Sequence, residues 1–331
     1  ISSHLQLALQ PVAGFLLRKA EPAMSQFPMP AGVPRSQAAV LTVGNFDGVH
    51  RGHVSILRRL KELSKQTALP AVVVTFDPPP LAILAPERVP PRLTTVKQKV
   101  ALLRAQGVDE VIVWPASREL LSLTAEQFFE QIVCDHLKCR GIVEGPNFCF
   151  GRARGGNVEV LRRLGTAASI PVIIADPSET GGAMISSSQI RSSLSAGEIA
   201  QARELLGRPY AIEGTVVTGA QRGRLLGFPT ANLSHVETLI PPAGVYAART
   251  TIQGAAWPVA LNIGPNPTFG EDQLKLEAHV IGYSGDLYGQ NVSLELLGQL
   301  RGVRKFSGVE ELRDQLTRDI AACTELFRSE G

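Results

Sequence analysis

Two histidines three residues apart, His50 and His53, lie in the stretch Gly44-Asn45-Phe46-Asp47-Gly48-Val49-His50-Arg51-Gly52-His53. An apolar run, Ala39 to Val43, leads in, and a helix-like pattern, Ile56 to Leu63, leads out. A strand, a glycine-rich turn and a helix start set backbone N–H groups beside two imidazoles. That arrangement suits the holding of a polyphosphate. The same residues also fit a polar turn with two exposed histidines, and the spacing alone leaves both readings open.

The elements around this turn alternate. Strand candidates are Ala39–Val43, Ala71–Phe76, Glu110–Val113, Gly141–Glu144 and Val172–Ala175, with helical patterns at His53–Gln66, Val96–Gln106, Ala125–Leu137 and Asn157–Ser169. Near-continuous apolar strands between helices of that length predict an α/β domain with a parallel sheet covered on both faces. Ligands of such sheets gather beyond the carboxyl ends of the strands, where the two histidines fall. Ser187–Ser195 and Glu198–Leu205 read as two short linker helices, closed by Gly207 and Pro209. After Tyr210 the texture changes. Ala211–Val217, Gly244–Thr251, Trp257–Ile263, Lys275–Tyr283 and Val292–Leu297 are separated by turns rich in Gly and Pro. Five or six strands with no helix between them predict a small antiparallel β-barrel, closed by an amphipathic helix over Val309 to Phe327.

Composition narrows the partners. The chain's 331 residues, 44% of them hydrophobic, can bury two ordinary cores. A net charge of +3, no block of Lys and Arg, and 5% aromatics argue against a nucleic-acid surface. Cys134, Cys139, Cys149 and Cys323 lack a Cys-x-x-Cys spacing, and the Cys134, His136, Cys139 trio would straddle a helix end and a strand. Unpaired thiols in a reducing cytoplasm are the expectation. Leu5 to Leu17 is apolar but short and broken by Pro11, so no membrane span is expected there. Residues 1–34 read as a poorly ordered leader, with Met24 an alternative start and a membrane-surface helix its rival.

The wording of the turn is more specific than its geometry. GNFDGVHRGH resembles the ATP-binding signature of the bacterial bifunctional riboflavin kinase/FAD synthetase family, a branch of the nucleotidylyltransferase superfamily. The resemblance to the adenylyltransferase half spans about residues 35–195. It implies a Rossmann-like domain in which His50 and His53 contact ATP phosphates and steady the pentavalent α-phosphorus, with Gly44, Asn45, Phe46, Asp47 and Gly48 bordering nucleotide. Gly145-Pro146-Asn147-Phe148-Cys149-Phe150-Gly151 resembles the family's GxNFxFG segment, which turns Asn147 toward flavin or nucleotide. Ile185-Ser186-Ser187-Ser188-Gln189-Ile190-Arg191 resembles ISSTxIR, implying a phosphate cradle from Ser187, Ser188 and Arg191. Read bare, it is equally an N-cap before a surface arginine. Pro79 departs from the pattern by standing where the family usually carries a histidine, and proline has no side-chain donor.

The segment from Gly219 to Leu233 resembles the family's riboflavin kinase signature, GxxxGRxxGFPTANL, and the match spans about residues 208–328. It implies a six-stranded barrel binding nucleotide and flavin through Gly219, Arg224, Gly227, Phe228 and Pro229. Thr230 and Asn232 would help hold Mg²⁺ on ATP. Leu276-Glu277-Ala278-His279 resembles LExH, which makes Glu277 the base for the riboflavin hydroxyl. On a strand, Lys275, Glu277 and His279 share a face, so a salt bridge is the rival role of Glu277. Asn262–Gly270 and Asp286–Gly289 resemble the family's NIGxxPTF and DLYG loops. Arg301 matches an LRxExKF segment and would lie near flavin or nucleotide, while Val303 replaces that segment's acidic residue.

The expectation is therefore a cytoplasmic enzyme with a leader at 1–34, an adenylyltransferase domain at 35–195, a linker at 196–208 and a kinase domain at 209–331. ATP, riboflavin and FMN are the implied substrates, FAD the product and Mg²⁺ the cofactor, with neither nucleic acid nor membrane as partner. Whether copies associate as a homo-oligomer is left open. The rival readings are a kinase whose first domain is impaired, motivated by Pro79, and a non-catalytic flavin-binding regulatory protein.

Overall fold

Five parallel strands, β1 (Ala39–Val43), β2 (Ala71–Phe76), β3 (Glu110–Trp114), β4 (Cys139–Glu144) and β5 (Val172–Ile174), form one sheet in the order β3-β2-β1-β4-β5. The computed structural model describes residues 38–176, 179, 180, 183–218, 228–266 and 271–330. The expected leader 1–34 and the candidate residues Gly219, Arg224 and Gly227 lie outside those residues. The chain runs outward from β1 to β3, then returns to place β4 on the other side of β1. The order reverses there, and a crevice opens beyond the carboxyl ends of β1 and β4. Every residue of β1 is buried, because helices cover both faces. On one side Leu57, Leu60 and Leu63 of α1 (Arg51–Thr67) pack with Val40, Val73 and Val143, joined by Leu103 of α3 (Val96–Ala105). On the other, Leu41, Val72 and Val74 meet Phe128, Phe129 and Ile132, together with Leu161 of α6 (Val158–Ala167).

Sequence periodicity located most of these elements, with three departures. The expected helix over Ala125–Leu137 begins as α5 (Ala125–Gln127), capped by Thr124 and Gln127, then widens into a π-helical run at Phe128–His136. Phe128, Phe129, Ile132 and Val133 are all buried in that run, so packing against the sheet overrides local pitch. Two five-residue helices, α2 (Pro80–Leu84) and α4 (Arg118–Ser122), are too short to display a helical period. A two-stranded hairpin, β6 (Glu179–Thr180) with β7 (Ala183–Met184), stands ahead of the linker helices.

Those helices, α7 (Ser187–Ser195) and α8 (Ile199–Leu206), share a core with the carboxyl-terminal barrel. Ile190, Leu194, Ile199, Leu205 and Leu206 cluster with Leu93 and with Tyr210, Ile212, Leu294 and Leu296. Six strands close that barrel: β8 (Tyr210–Val217), β9 (Ala231–Ser234), β10 (Gly244–Ile252), β11 (Ala255–Asn266), β12 (Glu271–Val280) and β13 (Asn291–Gly302). The four-residue β9 was not among the expected strands, since its residues read first as a ligand motif. The terminal helix α9 (Val309–Ser329) lays Cys323, Leu326 and Phe327 on Ala247 and Leu297 of the barrel's outer face. All four cysteines are free thiols.

Candidate active sites

The first candidate site is a cavity of about 740 Å³ at the crevice, lined by the β1–α1 turn, the β4 end and the start of α7. His50 occupies the N-cap of α1 without using its side chain to cap the helix. One turn on, His53 stacks its ring on that of His50, with centroids 3.6 Å apart and planes 22° from parallel. Neither ring's Nδ1 has a hydrogen-bond partner. Burial first, then Arg208, pushes the His50 imidazole down to about 4, and burial first, then His50, holds His53 well below its usual range. Both rings are therefore neutral at pH 7, and each can offer one N–H to an anion without drawing a counter-charge into the wall.

The turn ahead of them is strained and heavily braced. Phe46 and Val49 take positive φ values of 47° and 39°, and β-branched Val49 tolerates this poorly. Such conformers cost roughly 1–3 kcal/mol each and persist where surroundings over-determine them. Lys99 Nζ donates to the Asn45 carbonyl at 3.0 Å and to the Thr75 hydroxyl at 3.2 Å. The Asp47 carboxylate accepts from the Leu93 and Thr94 N–H groups and from the Thr94 hydroxyl, all at 3.0–3.1 Å. It also pairs with Arg191. Gly48 adopts φ +82°, and a Cβ there would meet Leu93 Cδ1 at 2.9 Å.

Of the sequence candidates, Gly44, Asn45, Phe46, His50, His53, Asn147, Ser187 and Ser188 all border this cavity. Asp47, Gly48 and Arg191 do not. The expected approach of Gly48 to nucleotide gives way to packing against Leu93. Arg191, expected at phosphate, has its guanidinium taken by Asp47 and by the Pro91 carbonyl at 2.7 Å. A carboxylate within reach of a partly buried arginine is its strongest available acceptor. Ser186 is consumed by a capping box with Gln189, and Ser187 Oγ donates to the Asp47 carbonyl at 2.8 Å. Pro79 is the N-cap of α2 and lies outside the cavity lining.

Two residues here escaped sequence reasoning. Glu144 ends β4 inside the cavity wall, 3% exposed, and accepts the Val43 N–H at 2.7 Å. Burial drives its carboxyl well above the usual range, against the Val43 N–H and the Thr42 hydroxyl, which favour the ionised form. Lys99 is the other; its burial lowers its pKa while Asp47 and Asp77 oppose the shift. Its place in an ordinary helical pattern carried no signal.

The second candidate site sits on the barrel. Register aligns Asn232 of β9 with Glu277 of β12, and Glu277 with Asn262 of β11. Their neighbours Leu233, Leu276, Ala278, Leu261 and Ile263 face the interior, so the three polar residues form a row on the outer face. Asn262 belongs to the NIGxxPTF-like loop, but only pairing reveals that it flanks Glu277. At the adjoining mouth a cavity of about 580 Å³ is lined by Pro229, Thr230, Ala231, Tyr283, Asp286 and Tyr288. His279 Nδ1 lies 2.7 Å from the Pro229 carbonyl, and the Phe228 ring meets His279 edge-on. Lys275, Glu277 and His279 share a face as expected. Arg301 does not join this row: register sets it three strands round the barrel from Glu277, past Asn262 and Val245. Its guanidinium grips buried Asp319 of α9 at 2.8–3.1 Å, the better-matched partner.

Comparison with known proteins agrees with both halves. A family model for FAD synthetase matches residues 33–189, and one for riboflavin kinase matches residues 206–327. The bifunctional riboflavin kinase/FMN adenylyltransferase of Pseudomonas fluorescens is 37% identical over 294 residues, covering 88% of this chain and 94% of that one. Its counterpart from Escherichia coli K12 is 36% identical, covering 88% and 93%. A crystal structure from Streptococcus pneumoniae, described as a macrolide-efflux protein, superposes with a TM-score of 0.80 at 31% identity, covering 88% of this chain and 96% of that one. Among the described residues no helix is long and apolar enough to cross a membrane.

Proposed function

The chain belongs to the bifunctional riboflavin kinase/FMN adenylyltransferase family, and from that premise we propose how its residues divide the work. The protein phosphorylates riboflavin to FMN with ATP, then adenylylates FMN to give FAD and pyrophosphate. In the proposed division residues 35–195 carry the second reaction and 209–331 the first, joined by 196–208, in a cytoplasmic protein.

For adenylyl transfer the attacking group is the FMN phosphate, already ionised at neutral pH, so no protein nucleophile is required. The work left to the chain is alignment and charge stabilisation. The observation that carries the assignment is the stacked, neutral pair His50 and His53, whose N–H groups would strengthen their bonds as negative charge grows on the α-phosphate oxygens. Ser188 and the opening N–H groups of α7 border the same cavity and suit the leaving pyrophosphate. Asn147 suits a polar edge of flavin or nucleotide. Arg191 and Asp47 contribute by holding the turn.

For the kinase, Glu277 would accept the proton of the riboflavin 5′-hydroxyl as that oxygen attacks the γ-phosphorus. Thr230 and Asn232 would supply two neutral oxygen donors, which fits Mg²⁺ on ATP. When bound, the ion supplies charge neutralisation along the phosphates. Arg301 would act at a distance, tying β13 to α9 through Asp319.

Riboflavin, ATP and Mg²⁺ supplied together, with products separated by chromatography, test the whole reading. FAD with transient FMN supports it. FMN alone assigns an impaired first domain, the outcome that Pro79 would explain, and no product assigns a flavin-binding protein.

A further inference from the structure

The turn that carries His50 is held by a residue beyond both linker helices. Arg208 stands just after α8 and two residues ahead of the first barrel strand. Its Nη2 donates to the Gly48 carbonyl at 2.5 Å and its Nη1 to the Val49 carbonyl at 3.0 Å. Those two carbonyls belong to the residues at φ +82° and +39°, immediately before His50. Both peptide groups are thereby fixed at the strained step that sets the direction of the His50 ring. A guanidinium suits the task because its planar fork presents two donors in fixed geometry.

The anchor itself cannot drift. Gly207, at φ +76°, terminates α8, whose Leu205 and Leu206 are buried in the shared core, and Tyr210 begins β8 with its hydroxyl bonded to the Leu239 carbonyl at 2.8 Å. Leu239 in turn donates its N–H to the Arg92 carbonyl at 2.7 Å, next to the Leu93 and Thr94 N–H groups that grip Asp47. The same strained turn is thus pinned on its far side by a loop that also rests on the barrel.

We propose that Arg208 is a positioning residue for FAD synthesis: a side chain at the entrance to the kinase barrel that sets the His50 ring through the Gly48 and Val49 carbonyls. This rests on the reading of His50 and His53 as the adenylyl-transfer pair. Arg208 stays cationic at neutral pH, since burial lowers it only to about 10. Its charge also faces His50, together with Asp47, Arg191 and, through the His53 ring, Lys99.

Arg208→Gln and Arg208→Lys in the full chain test this. With FMN and ATP supplied, Arg208→Gln should form FAD about 10- to 100-fold more slowly, the cost of a reacting group displaced by an ångström or so. Riboflavin phosphorylation should stay at the parent value, while the melting temperature falls by a few degrees because the Gly48 and Val49 carbonyls lose a charged donor. In a histidine-resolved NMR titration the His50 signal should move to higher pH, because a facing cation has gone. Arg208→Lys restores the charge but not the fork. It should return the His50 titration to the parent position while FAD formation recovers only in part. FAD formation at the parent rate in both variants overturns the proposal. So does a parallel fall of both activities, which would make Arg208 a staple between domains. Undiminished FAD formation by His53→Ala would instead overturn the reading beneath it, an outcome that the Arg208 variants cannot mimic.

Discussion

Acidification should weaken the first domain through His50 in a way that can be sized from its surroundings. In the folded chain the imidazole is pushed down to about 4 from 6.5, by burial first and by the Arg208 cation second. Unfolding returns it to water and to the higher value. Between the two, the unfolded chain binds a proton that the folded chain refuses, so stability falls as pH falls and is fully present above about 6.5. A gap of about 2.5 pH units corresponds to about 3 kcal/mol across the window, of which about 2 kcal/mol is already lost at pH 5. His50→Gln removes the titrating group and keeps a polar side chain of similar reach. Guanidinium unfolding at pH 7.5 and pH 5, in a Trp257→Phe background so that Trp114 of β3 reports alone, measures the difference. The parent should lose about 2 kcal/mol more than His50→Gln between the two pH values. His53 is present in both chains, so the part of its depressed titration that comes from burial cancels, and only the part due to the His50 charge differs between them. Equal losses in parent and variant would refute the argument and mean that the ring is solvated.

Three further outcomes are expected. His53→Ala should slow conversion of FMN to FAD by about 10²-fold, the scale of one transition-state donor, with riboflavin phosphorylation unchanged; paired product assays check it. Glu277→Gln should slow riboflavin phosphorylation by about 10²-fold or more, while supplied FMN still becomes FAD. A parent rate across neutral pH would make Glu277 a structural partner instead. A barrel fragment beginning at Tyr210 sheds Ile190, Leu194, Ile199, Leu205 and Leu206, each worth roughly 1.5–3 kcal/mol of burial. It should melt far below a fragment beginning at Ser186, and matched thermal midpoints would show the shared core to be dispensable.

What local residue order dictates, the sequence determined by itself. β1 and β2 were legible to the residue because a buried parallel strand is a continuous apolar run bounded by breakers, and α7 because Ser186 and Gln189 write its capping box in four residues. The change to an antiparallel barrel after Tyr210 was legible in the loss of helical period, and short motifs singled out His50, His53 and Glu277 as candidates. The shortest elements, α2, α4 and β9, run too few residues to repeat a pattern and were not legible.

Tertiary structure alone decided which polar groups border the cavities and which brace the scaffold. Nothing near Asp47 in sequence announces that Arg191, Leu93 and Thr94 will claim its carboxylate, nor that Arg301 will turn to Asp319. Glu144 meets its backbone donor across 101 residues and Arg208 its carbonyl acceptors across about 160, so neither role leaves a local pattern. Strand order brings Asn262 beside Glu277, and burial makes the two histidines neutral. The physical reason is range: hydrophobic period and capping act within a few residues, whereas hydrogen-bond competition and desolvation depend on what the folded chain carries in from far away.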